Sequence, residues 1–133
     1  MKKRILIVDD EPLLLEALQR EMREFSNEYQ IVVTSDCTAI AAIIADQRVD
    51  VLVTDILMPE KDGIQIITEM QERYPEIKII TMSGGGKIDA ATYLQMAEGL
   101  GASCSLQKPF TRADLLTAIR AVLAQSEDER QSA

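Results

Sequence analysis

Five polar side chains stand where short aliphatic runs stop. Asp9 and Asp10 follow Ile5–Val8, Asp55 closes "VDVLVTD", Ser83 closes "IKIITMS", and Lys108 follows "SCSLQ". Three carboxylates brought together repel one another unless a cation or a partner offsets them. Lys108 supplies one positive charge, and a divalent cation would supply the rest. The chain contains no histidine, so any ion must be held by oxygen ligands, which selects a hard cation such as Mg2+. The same absence removes a Ser-His-Asp triad, a His-ligated zinc site and a histidine phosphocarrier. Singly, each residue has a plainer role. A strand-end Asp caps a helix or forms a turn, a Ser before glycines is loop, and a Lys is solvated surface. Their joint occurrence is what points to a site.

Such a site needs a scaffold that delivers several strand ends to one edge. The sequence alternates short aliphatic runs with longer amphipathic stretches. "RILIVDD", "YQIVVTS", "VDVLVTD", "IKIITMS" and "SCSLQ" read as strands. Between them, apolar residues recur at helical spacing, as in Leu14, Leu18, Met22 and Phe25, or Ile66, Ile67 and Met70. Pro12 suits a first helical turn, and Thr111 with Asp114 three residues on resembles a capping box. Strands joined by helices run parallel, with right-handed crossovers. Helices on both faces of an open parallel sheet give a doubly wound α/β fold, whose ligands bind outside the carboxyl ends of the strands.

The 133 residues, 47% of them apolar, are enough for one domain with a substantial core, and at 4% aromatic that core must be aliphatic. A net charge of −8 argues against nucleic acid or an anionic membrane surface as partner. No apolar run approaches the ~20 residues of a membrane span. The apolar part of "MKKRILIVDD" is too short for a signal peptide, and the expected location is the cytoplasm, with Cys37 and Cys104 as buried thiols. The domain is placed at residues 1–124, and the acidic tail 125–133 is expected to be disordered or a frayed helix end.

The chain resembles the receiver domain of two-component response regulators. The matching residues are "ILIVDDEP" at Ile5–Pro12, "VTDILMPEKDG" at Val53–Gly63, "TMSG" at Thr81–Gly84 and "KPF" at Lys108–Phe110. The resemblance implies a flavodoxin-like (βα)5 sheet in the order 2-1-3-4-5. It implies that Asp55 takes a phosphoryl group from a phosphohistidine on a sensor histidine kinase or phosphotransfer protein. It implies Mg2+, or Mn2+, on Asp10, Asp55 and the main-chain carbonyl of Leu57, with Asp9 acting through water. Lys108 and Ser83 would bind the phosphoryl oxygens, and the Lys108–Pro109 bond would be cis. The implied protein is no separate enzyme but a cytoplasmic switch, monomer or weak dimer, whose output is contact with a downstream protein target.

Three positions depart from the family pattern. Ser105 stands where receivers carry a Tyr or Phe that swings inward on activation, so switching would rest on Ser83 and the loop after it. Gly84, Gly85 and Gly86 make that loop unusually permissive and suit an order–disorder switch. "SGGG" followed by "YLQMAEGLGA" is similar to stand-alone receivers. Leu57 and Gly85 cannot orient an attacking water, which predicts slow self-dephosphorylation. The competing readings are a non-phosphorylated docking module, against which the complete acid–Ser–Lys set argues, and a metal-dependent phosphohydrolase, which typically carries D-x-D where Asp55 is followed by Ile56 and Leu57.

Overall fold

Strands flanked by helices on both faces must be apolar on both sides, and the central runs of this chain are. Ile5, Leu6, Ile7, Val8, Val51, Leu52, Val53, Ile79 and Ile80 have no exposed surface. The computed structural model describes residues 2–56, 63–83, 99 and 101–132, with side chains only as far as 125. It contains β1 (Lys3–Val8), β2 (Tyr29–Thr34), β3 (Val51–Asp55), β4 (Lys78–Ser83) and β5 (Cys104–Gln107). They form one sheet in the order β2-β1-β3-β4-β5, every pairing parallel.

Alternate residues of each strand feed two separate cores. Ile5, Ile7, Val51, Val53, Ile80 and Met82 pack with helix α1 (Pro12–Glu21) and the C-terminal helix α4 (Arg112–Ser132), through Leu15, Leu18, Leu115 and Ile119. Leu6, Val8, Leu52 and Ile79 pack with α2 (Ile40–Asp46) and α3 (Gly63–Arg73), through Ile40, Ile66, Ile67 and Met70. The fold is the doubly wound α/β sheet that the alternation predicts. Cys37 belongs to the second core and Cys104 packs against the first. The helix that the strand–helix alternation predicts between β4 and β5 lies outside the described residues, apart from Gly99.

Local chemistry sets the element ends. Pro12 opens α1, where its missing N–H costs nothing. The periodic stretch continues past α1 as a 3-10 turn over Met22–Phe25. Asp36 caps the turn before α2, accepting from the Thr38 N–H at 2.9 Å and the Thr38 hydroxyl at 2.6 Å. The side-chain and backbone bonds from Thr38 hold its carboxyl below the usual Asp range. At α4 the capping box forms in both directions: Asp114 N–H donates to Thr111 Oγ1 (3.1 Å) and Thr111 N–H to Asp114 Oδ2 (3.0 Å). Before β5 the chain turns through Gly101 at φ +118°, and the Gln71 amide donates to its carbonyl at 2.9 Å.

Helix α4 runs on past Ala124 through the acidic segment to Ser132, which accords with the helix-end reading of that segment. "SEDERQS" holds no glycine or proline, and Glu, Arg and Gln propagate a helix well.

Candidate functional site

The register of the sheet brings the five residues of the sequence pattern to one edge. Val8 pairs with Thr54, Asp55 with Met82, and Ser83 with Gln107. Asp9, Asp55, Ser83 and Lys108 therefore mark the ends of four consecutive strands, β1, β3, β4 and β5. Asp10 stands exposed beside Asp9. One carboxylate oxygen from each of Asp9, Asp10 and Asp55 lies within 4.8 Å of the others. That is an all-oxygen donor set suited to a hard divalent cation.

Asp9 is fully buried. Its Oδ1 accepts the Glu11 N–H at 2.9 Å, a local turn that swings the chain from β1 into α1. Its Oδ2 accepts from the Lys108 ammonium at 2.5 Å, and Asp55 Oδ2 accepts from the same ammonium at 3.0 Å. Asp55 is 5% exposed. Burial, the largest single influence on Lys108, pulls its ammonium down. The hydrogen bonds and charges of Asp9 and Asp55 together outweigh it and push the group above the ordinary lysine range. Lys108 is thus a fixed cation at neutral pH, held between the two buried carboxylates.

Ser83 completes the edge. Its residue is fully buried, and its hydroxyl has no hydrogen-bond partner among the described residues. A buried unpaired hydroxyl is costly and calls for an explanation. The Ser83 carbonyl accepts the Lys108 N–H at 2.7 Å, so the two residues are joined through the main chain. The Lys108–Pro109 bond is cis, the isomer that the resemblance implies.

Two contributors carry no sequence signal strong enough to single them out. Glu11 Oε2 lies 3.5 Å from the Lys108 ammonium; in the sequence it is one more acid ahead of a helix. Thr81 is fully buried in β4 and its Oγ1 lies 2.9 Å from Ser105 Oγ on β5. Ser105 is therefore tied across the strands. Leu57, Gly84, Gly85 and Gly86 lie outside the described residues.

Residues 5–120 match the sequence model of the response regulator receiver domain. The chain belongs to that family. It is 30% identical over 131 residues to the response regulator MprA of Mycobacterium tuberculosis (strain ATCC 25618 / H37Rv), covering 97% of this chain and 54% of that protein. It thus spans about half the length of the curated relatives it matches. Among solved structures it is similar to a CheY-like receiver domain protein from Methanospirillum hungatei JF-1. There the TM-score is 0.84 at 26% identity, covering 97% of this chain and 99% of the other. It is also similar to the beryllofluoride-activated NtrC4 receiver domain dimer, with a TM-score of 0.80 at 28% identity over 92% of this chain and 98% of the other. As a receiver domain, the chain is a module of phosphorylation-based two-component signalling. Receiver domains bind Mg2+ at an acidic pocket and interact with histidine kinases and downstream effectors. No helix among the described residues is long and apolar enough to cross a membrane.

Proposed function

We propose that Asp55 accepts a phosphoryl group from a phosphohistidine on a sensor histidine kinase or phosphotransfer protein, and that the phosphorylated domain then contacts a downstream protein target. The observation that carries this reading is the Lys108 ammonium bonded to both Asp9 and Asp55, with the Ser83 hydroxyl, unpartnered among the described residues, on the adjacent strand end. In the transfer an Asp55 carboxylate oxygen forms a bond to phosphorus. The P–N bond breaks, and its electron pair returns to the donor's imidazole nitrogen. Lys108 orients the Asp55 carboxylate beforehand and offsets charge on the phosphoryl oxygens afterwards. The Ser83 hydroxyl gains in the phosphorylated state a hydrogen bond that no described residue gives it here. Asp10, Asp55 and the Leu57 carbonyl would hold Mg2+ or Mn2+, with Asp9 through water, and the bound ion supplies further positive charge in a loose transition state.

The receiver unit is placed at residues 1–124, with 125–133 as an acidic extension. A net charge of −8 supports protein rather than nucleic acid or membrane partners, and the reading is of a cytoplasmic monomer or weak dimer. Incubation with acetyl phosphate and Mg2+ followed by intact mass measurement tests the acceptor role. One added phosphoryl group on the wild type and none on Asp55→Asn is expected. No adduct favours a docking module, and sustained phosphate release favours a phosphohydrolase.

A further inference from the structure

Lys108 touches three carboxylates, and the third has no place in the transfer described above. Asp9 and Asp55 reach its ammonium from the buried side. Glu11 reaches it from solvent: its side chain is 64% exposed and its Oε2 lies 3.5 Å from Nζ. The Glu11 backbone is fixed by its N–H bond to Asp9 Oδ1 and by its carbonyl, which accepts the Leu15 N–H at 3.2 Å as α1 begins. The side chain is therefore rooted beside the acidic cluster while its charge stands at the mouth. There, Asp9, Asp10, Glu11 and Asp55 set four carboxylates against one ammonium.

We propose that Glu11 is a specificity-determining residue of this site, disfavouring small anionic phosphodonors while strengthening the hold on a divalent cation. The inference rests on Asp55 being the phosphoryl acceptor. An incoming phosphoryl dianion must approach the ammonium that Glu11 already contacts, and like charge raises the cost of that approach. A free acyl phosphate has nothing with which to answer it. A protein donor can present a cationic side chain to Glu11 and turn the same charge into a point of recognition. For a cation at Asp9, Asp10 and Asp55 the sign reverses, since a fourth carboxylate adds attraction.

One substitution should therefore move two measurements in opposite directions, which a merely structural role would not do. Glu11→Gln keeps size and polarity and removes the charge. For a solvent-exposed, salt-screened charge the effect is on the order of 2- to 10-fold. Mg2+ affinity, measured by calorimetric titration without phosphodonor, should weaken by about that factor. Labelling by acetyl phosphate at saturating Mg2+, followed by intact mass, should become faster by a similar factor. Both differences should shrink as salt is added, and Glu11→Ala should follow Glu11→Gln. A wild type that labels normally, with both quantities unchanged or moving the same way in Glu11→Gln, would overturn the role of Glu11 alone. A wild type that takes up no phosphoryl group would overturn the acceptor reading and this inference with it.

Discussion

Replacing Ser83 by alanine should make the unphosphorylated protein more stable and the phosphorylated one less so. The Ser83 side chain is fully buried and its hydroxyl makes no hydrogen bond among the described residues. A buried polar group without a partner costs roughly 1–3 kcal/mol. Deleting one oxygen also leaves a small void, which returns part of that gain. A net stabilisation of about 1 kcal/mol is expected, equivalent to a Tm rise of roughly 3–4 °C for a chain of this length. Thermal and urea unfolding without phosphodonor measure it. The second arm adds beryllofluoride and Mg2+ as a phosphoryl mimic. A ligand that binds only the folded state raises stability by RT ln(1 + [L]/Kd). The wild type should gain more than Ser83→Ala, because only the wild type can donate the hydroxyl to the mimic. A variant less stable than wild type without ligand, or one stabilised equally by beryllofluoride, would refute the assignment of this hydroxyl to the phosphoryl group.

Three other perturbations have definite expected outcomes. Gly101→Ala should destabilise by about 1–3 kcal/mol in urea unfolding, since φ is +118° and an added Cβ would stand 2.8 Å from the Gln71 side chain. Titrating Mg2+ into the protein should raise Tm progressively, and Asp9→Asn or Asp10→Asn should weaken that rise, as expected if the ion relieves repulsion among the three carboxylates. Leu13 is 81% exposed at the start of α1, three residues after Asp10. Leu13→Ser should leave stability within about 0.5 kcal/mol and labelling by acetyl phosphate intact, while slowing transfer from a phosphohistidine protein.

The sequence reading and the structure agree where a pattern is local and periodic. The strands, the α3 face of Ile66, Ile67 and Met70, and the Thr111–Asp114 box are all legible because a run of four to eleven residues encodes each of them. The convergence of Asp9, Asp55, Ser83 and Lys108 is legible for a different reason: parallel strands all deliver their carboxyl ends to the same edge. Contacts that depend on side-chain reach are not encoded that way. Glu11 meets Lys108 across 97 positions in the chain. Arg112 and Arg120, eight positions apart on α4, lie 5.7 and 5.9 Å from the Phe25 ring centroid. Arg112 also pairs with Glu24 at 2.7 Å, and Arg120 with Glu28 at 3.5 Å. Each of these residues read singly is an ordinary solvated charge. The acidic tail stayed open between two readings because its composition is shared by disordered segments and by exposed helix.

The main-chain bond from Lys108 to the Ser83 carbonyl bears on how this site tolerates change. Strand register sets the spacing of the Ser83 and Lys108 backbones, from which the hydroxyl and the ammonium extend. A substitution on β5 that keeps the strand intact leaves that register unchanged, Ser105 being bonded across to Thr81 of β4. Length is another matter. A single residue inserted between Cys104 and Gln107 would slip the register and turn every later side chain of β5 to the other face, carrying Lys108 away from Asp9 and Asp55 together. The site is thus robust to substitution and brittle to insertion at this edge.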